Sequence, residues 1–245
     1  MKPCPISTAR NLSLPSATAN RLRVKSTFQF TLRHKVELLA NRRMPGRESQ
    51  IASNLIRASF FERDPLTCAR ELIGAELLWS ECSGVIVETE AYNAIDDEAC
   101  HTFLRPSTRA FIERNKAGVA YVYFNYGMHW MLNVLVKGDA NGFVLIRAMQ
   151  PRKGIERMKK RRRLDDEKRL CSGPGKLTQA LGITDHHHEM DLCADSRYCF
   201  AFNADARLRR VDVVADKRIG ISRSAHLPWR FTLRGSPFGS TPAKL

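Results

Sequence analysis

The chain has 245 residues, 43% of them hydrophobic, with a net charge of +15 and a pI near 9.9. That is enough apolar material for one substantial core, and no apolar run approaches the roughly 20 residues of a membrane span. The charge selects a polyanionic partner, nucleic acid first and an anionic membrane surface second, while seven cysteines without a C-x-x-C pair argue against a disulfide framework, an iron–sulfur cluster or structural zinc.

The charge is uneven. Residues 1–59 hold 11 Lys/Arg against 2 Asp/Glu, and the remainder holds 29 against 23. Residues 1–50, rich in Arg, Ser, Thr and Asn, lack the apolar stretch of a secretory signal. Three explanations stay open for them: a disordered basic arm that raises DNA affinity without specificity, an organellar transit segment, or a true start downstream near Met44. The expected location follows from that choice. It is the cytoplasm or nucleoid of a bacterium, or an organelle or nucleus if residues 1–50 are a targeting segment.

The folded body is expected over 54–245. Asp64 as N-cap and Pro65 at the first helical position start a helix, and Leu66, Ala69, Leu72 and Ile73 give it helical spacing before Gly74 stops it. Ala75 to Trp79 reads as a strand and Ser80 to Gly84 as a turn. Val85 to Tyr92 is rich in β-branched residues and reads as a second strand. Alternation places Ile86, Glu88, Glu90 and Tyr92 on one face, and Val85, Val87, Thr89 and Ala91 on a core-facing side. A carboxylate beside an aromatic wall suits activation of water next to a stacked planar substrate. Taken alone, the same stretch fits an edge strand with a solvated acidic face.

Asp96-Asp97-Glu98 suits the first turn of a short helix carrying Ala99, Cys100 and His101, and Ser107 caps a helix to about Asn115. In Ala120 to Tyr126, alternation sets Tyr121, Tyr123 and Asn125 opposite Val122, Phe124 and Tyr126. Tyr126-Gly127 reads as a turn. Met128 to Lys137 follows as a strand with His129, Met131, Asn133 and Leu135 on one face. Asn141-Gly142 is a hairpin signal. Phe143 to Met149 returns, with Arg147 facing as Leu145 and Met149 do. An arginine in an apolar strand is costly without a partner or a task.

Arg152 to Arg163 is expected as a basic helix. Cys171-Ser-Gly-Pro-Gly-Lys176 opens another, ended by Gly182, and the free N–H groups at its start with Lys176 make an anion site possible there. The spacing of a P-loop is absent. His186, His187 and His188 are adjacent on a polar loop, which fits solvated side chains better than metal ligands. Short strands are expected at Val211 to Val214, Arg218 to Ser222 and Trp229 to Arg234. Strands separated by short helices, with hairpins, indicate one α+β domain with a largely antiparallel sheet.

Several motifs occur in order: V-E-T-E-A-Y (Val87 to Tyr92), D-E-A-C-H (Asp97 to His101), Y-V-Y-x-x-Y-G-M (Tyr121 to Met128), Asn133, L-I-R-A (Leu145 to Ala148), C-S-G-P-G-K-L (Cys171 to Leu177) and R-G-S-P (Arg234 to Pro237). Together, over about residues 60–240, they resemble the alkyladenine (3-methyladenine) DNA glycosylase family. The resemblance implies a curved sheet like that of the formyltransferase C-terminal domain. It also implies a monofunctional repair hydrolase that flips an alkylated purine out of duplex DNA, cleaves its N-glycosidic bond and leaves an abasic site. By motif position, Glu90 is the general base. Arg147 contacts the flipped nucleotide's backbone and holds the water site. Tyr92, His101 and Tyr123 line the base pocket. Asn133 rejects guanine, and Tyr126 is the wedge that fills the gap in the duplex. Lys176 is a candidate contact to the DNA backbone. No cofactor, metal or obligate protein partner is implied, and a monomer is expected. Phe124-Asn125 and His129-Trp130 depart from the family pattern, so the resemblance does not define the lesion range.

The chemistry agrees. Flipping costs a few kcal/mol, and stacking on aromatic side chains returns roughly 1–3 kcal/mol per base. N3- and N7-alkylated purines are cationic, which favours tyrosine faces and activates the leaving group. Two other functions also use such residues: a metal-dependent nuclease built on Glu88, Glu90, Asp96, Asp97 and Glu98, and a non-catalytic nucleic-acid-binding module that needs the basic surface but not Glu90.

Overall fold

The computed structural model describes residues 54–202 and 211–241, all within the unit that spans 47–245. The basic stretch 1–50 lies outside the described residues. Asp64 accepts a hydrogen bond from the Thr67 N–H and opens α1 (Pro65–Glu71) with Pro65 in its first turn. The chain then runs through β1 (Glu76–Trp79), β2 (Cys82–Asn93), α2 (His101–Leu104), α3 (Pro106–Arg114), β3 (Ala120–Asn125), β4 (His129–Lys137) and β5 (Asn141–Lys153). It continues through α4 (Ile155–Arg162), α5 (Glu167–Leu170), α6 (Pro174–Leu181), β6 (Tyr198–Ala201), β7 (Val213–Asp216) and β8 (Arg230–Leu233).

The strands form one antiparallel sheet in the order β3-β4-β5-β2-β1-β6, with β8 also on β2 and β7 outside β8. The organisation is α+β, as expected. The sheet forks at β2. Its first half pairs with β1, its second half pairs with β8 at Glu88, Thr89 and Glu90, and β5 runs along its whole other side. The acidic strand is therefore central, not an edge. The main core lies between one sheet face and α1, α4, α5 and α6. A smaller cluster on the other face packs Phe111 and Ile112 of α3 against Tyr121, Leu135 and Phe143.

The irregularities lie beside the fork. Ile86 pairs with Met149 and Glu88 with Ala148, leaving Val87 extra. Thr89 then pairs with Ile146, leaving Arg147 extra on β5. Such bulges re-aim side chains. Ile86 consequently faces the main core with Ala91, not the side of Glu88, Glu90 and Tyr92. Met149 joins Val144 and Ile146 in that core, not Leu145 and Arg147. Strict alternation across 86–92 and 143–149 predicted otherwise.

Other expectations shift for local reasons. The β1–β2 turn is only Ser80-Glu81, because Trp79 already pairs with Cys82. Asn141-Gly142 sits inside β5, and the turn is 138–140. Gly142 is needed for close approach, since a Cβ there would lie 2.1 Å from the Tyr92 carbonyl oxygen. Arg152 and Lys153 extend β5, and the basic helix starts only at Ile155. Asp97 precedes α2 instead of sitting in its first turn, and α3 begins at Pro106, so Ser107 lies inside it and the N-cap position falls to Arg105, which makes no side-chain cap bond. Residues 218–222 form no strand, because they turn inward to meet β2.

Candidate active site

β2 supplies the centre of the site. Downstream of its bulge, Glu88, Glu90 and Tyr92 share one face, and both carboxylates are fully buried. Arg147, the bulged residue of β5, reaches between them. Its Nε donates to Glu88 Oε1 at 2.8 Å, and its Nη1 lies 3.2 Å from Glu90 Oε1. Glu88 also accepts from the Ser240 N–H at 2.6 Å and the Ser240 hydroxyl at 2.7 Å, with Arg230 Nη1 at 3.4 Å. Ser240 follows the R-G-S-P segment, which folds the chain back onto the acid. Glu90 accepts from the Tyr92 hydroxyl and from the Ile219 N–H, both at 2.8 Å.

These environments separate the two acids. Burial pushes the Glu88 carboxyl up, but Arg147 and Ser240 outweigh it and hold it below the ordinary glutamate value. Burial dominates at Glu90 and holds its proton affinity above that value despite Arg147, Ile219 and Tyr92. Two neighbouring carboxylates whose proton affinities are pushed apart in this way are suited to different roles.

Next to this cluster is a pocket of about 140 Å³, on the scale of cavities that take one aromatic ring system. Its walls include Tyr92, Cys100, His101, Tyr121, Tyr123, Asn133 and Phe143, with Tyr126, Gly220 and Ile221 at the rim. Alternation along β3 delivers Tyr121 and Tyr123 together. The His101 ring stands 4.3 Å from that of Tyr123 at 62°, and its Nδ1 is 3.1 Å from the Tyr121 hydroxyl, which also meets Thr108. Burial, then Arg105, pushes the His101 imidazole down to about 4, so it is neutral at physiological pH. Asn133 donates its amide to the Tyr121 carbonyl at 3.2 Å, which orients it on the wall.

The structure thus brings Glu90, Arg147 and Tyr92 into one cluster, and Tyr92, His101, Tyr123 and Asn133 around one pocket. Glu90 and Arg147 do not line the pocket; Glu90 is one hydrogen bond from it through Tyr92, and Arg147 reaches Glu90 from behind. Tyr126 caps the β3–β4 hairpin with φ 53° followed by Gly127 at 65°, is 74% exposed, and points its hydroxyl at the Gly220 carbonyl, 3.5 Å away. Its neighbours Phe124 and Met128 are also exposed, at 50% and 68%. The hairpin extends beyond the sheet's covered area. Lys176 is exposed on α6, 3.4 Å from the Ser172 hydroxyl, and does not line the pocket.

Among the described residues, no three His, Cys, Asp or Glu side chains are placed to hold a metal. Asp97 is engaged by Arg218, Glu88 by Arg147, and Asp96 and Glu98 are exposed. His187 bonds the Thr184 N–H and His188 accepts from the Val122 N–H, so both are structural. Three contributors escaped the sequence: Tyr121, signalled only by its parity with Tyr123, Ser240, and the buried Asp97–Arg218 pair, for which no local signal exists.

The family profile described as methylpurine-DNA glycosylase matches residues 59–237. Bacterial proteins with the assigned name 3-methyladenine DNA glycosylase are similar along nearly their full length. One from Rhodopseudomonas palustris (strain BisB18) is 47% identical over 189 residues, covering 76% of this chain and 91% of its own. One from Nitrosospira multiformis is 44% identical over 183 residues, covering 74% and 92%. One from Nitrobacter winogradskyi is 42% identical over 198 residues, covering 80% and 92%. The matched span contains β2, β5 and every residue that lines the pocket, and on that extent of identity the chain belongs to the methylpurine-DNA glycosylase family.

Proposed function

We propose that this protein excises 3-methyladenine-type lesions from duplex DNA, with Glu90 as the base that activates water against the N-glycosidic bond. The observation that carries this reading is the buried Glu90, held above the ordinary glutamate value, linked by Tyr92 to an aromatic pocket. A flipped alkylated purine stacks between Tyr92 on one side and His101 with Tyr123 on the other. Its positive charge is attracted to the tyrosine faces, and the neutral His101 adds no repulsion. Asn133 crowds the 2-amino group of guanine, which adenine derivatives lack. Water enters between Glu90 and the pocket floor when DNA seats, gives its proton to Glu90 and attacks the anomeric carbon. The glycosidic electrons leave with the already cationic base, so no general acid is needed. Arg147 keeps Glu90 oriented and balances its charge. Tyr126 enters the duplex in place of the extruded nucleotide.

The test is incubation with methylated duplex DNA, followed by chromatography for free 3-methyladenine, with and without EDTA. Free base and abasic sites are expected in both. Release of no base, or release abolished by EDTA, overturns the proposal.

A further inference from the structure

Arg218 is buried behind the pocket wall. It donates to both oxygens of Asp97 at 2.6 and 2.8 Å, to the Ala91 carbonyl at 2.9 Å and to the Ser224 carbonyl at 3.3 Å. Its guanidinium carbon lies 4.6 Å from the centre of the Tyr92 ring. Tyr92 lines the pocket and Arg218 does not, so the cation covers the ring from the protein side. Asp97 is itself pinned, accepting from the Asn93 N–H at 3.2 Å and the Ala99 N–H at 3.1 Å.

We propose that the Asp97–Arg218 ion pair is a specificity-determining element, in which Asp97 cancels the charge behind Tyr92 and so keeps that ring attractive to a positively charged base. The proposal rests on the pocket accepting an alkylated purine against Tyr92. A ring with a bare cation on one face has its π density drawn away from the other. An uncompensated unit charge about 8 Å from a cationic base, at an effective dielectric constant of about 20, weakens binding roughly thirtyfold. A bidentate carboxylate removes that repulsion while the guanidinium still holds the loop whose Ile219 N–H bonds Glu90. A neutral base is indifferent to the balance.

The test compares ligands of one shape and two charges. In full-length Glu90→Gln protein, which removes the base and preserves the lesion, affinities are measured for duplexes carrying one 3-methyladenine, methylated just before use, or its uncharged isostere 3-methyl-3-deazaadenine. Asp97→Asn should lose about tenfold or more on the cation and less than about twofold on the isostere. The charge-free double variant Asp97→Asn/Arg218→Gln should restore the parent's ratio of the two affinities. Equal losses on both ligands, or a double variant as impaired on the cation as the single, overturn the proposal. Should Asp97→Asn not fold, the double variant alone decides, because a ratio below the parent's refutes charge cancellation. A parent that binds neither lesion above undamaged duplex, in a protein whose unsubstituted form releases no base, refutes the proposed function instead.

Discussion

Glu88 and Glu90 stand two residues apart on β2 and share the guanidinium of Arg147, at 2.8 Å from its Nε and 3.2 Å from its Nη1, yet their proton affinities are driven in opposite directions. Glu88 has Ser240 and Arg230 in addition, whereas Glu90, among the described residues, has the Ile219 N–H and a phenol. One acid is held ionised by its partners, and the other is held by burial above the ordinary glutamate value, as the proposed base requires.

Glu90→Gln should lower single-turnover excision by about 10²–10⁴-fold while preserving lesion binding. The amide still accepts from Ile219, and the Tyr92 hydroxyl rotates to accept from it. Because the folded-state pKa of Glu90 is raised, its ionisation at neutral pH opposes folding. Thermal melting at neutral pH should therefore show the variant at least as stable as the parent. Unchanged turnover removes Glu90 from the mechanism.

The pH profile follows from the same shift. Glu90 must be ionised to take a proton, so kcat/KM should fall as pH drops through a pKa above the ordinary glutamate value of 4.5. His101 is neutral across that range and charges only near pH 4, where a cation on the wall would further oppose a cationic purine. Excision of 3-methyladenine across pH 4 to 8 reads the limb. A limb centred below the ordinary glutamate value refutes the assignment.

Glu88 predicts the converse. Its folded pKa is depressed, so its contribution to stability is present above the unfolded value and lost as pH falls through the folded one. Glu88→Gln should cost about 3 kcal/mol at neutral pH, as expected when a buried ion pair loses one partner. The difference should shrink in acid. Urea denaturation of both proteins at pH 7 and in acid measures it, and equal stability at pH 7 contradicts a Glu88 held ionised by its partners.

Tyr126→Ala should leave melting nearly unchanged, because the side chain is 74% exposed. It should weaken excision from a matched duplex more than from a mismatch, where extrusion costs less. Equal losses in both contexts, or a large drop in melting temperature, would mean that Tyr126 packs and does not wedge.

Removing residues 1–50, which carry a strongly basic composition, should flatten the salt dependence of DNA binding, with single-turnover excision at low salt nearly intact. A truncated protein that folds but excises nothing would place that segment in the catalytic body.

Local chemistry made part of the site legible. Alternation is a property of the extended backbone itself, so Glu88, Glu90 and Tyr92 fell on one face of β2, and Tyr121 and Tyr123 on one face of β3, before any partner strand was known. Asp64-Pro65 specified its helix start in the same way. Register, burial and charge balance are not local. Whether the acidic strand lay at an edge or at the centre depended on β5 and β8 pairing beside it, and the bulge that aims Arg147 exists only between two strands. Arg218 meets Asp97 across 121 residues, and Ser240 meets Glu88 across 152. The sequence by itself determined which side chains share a strand face, because that follows from the extended backbone. The tertiary structure decided their proton affinities, because burial and the charges brought alongside belong to the folded surroundings and not to the residue.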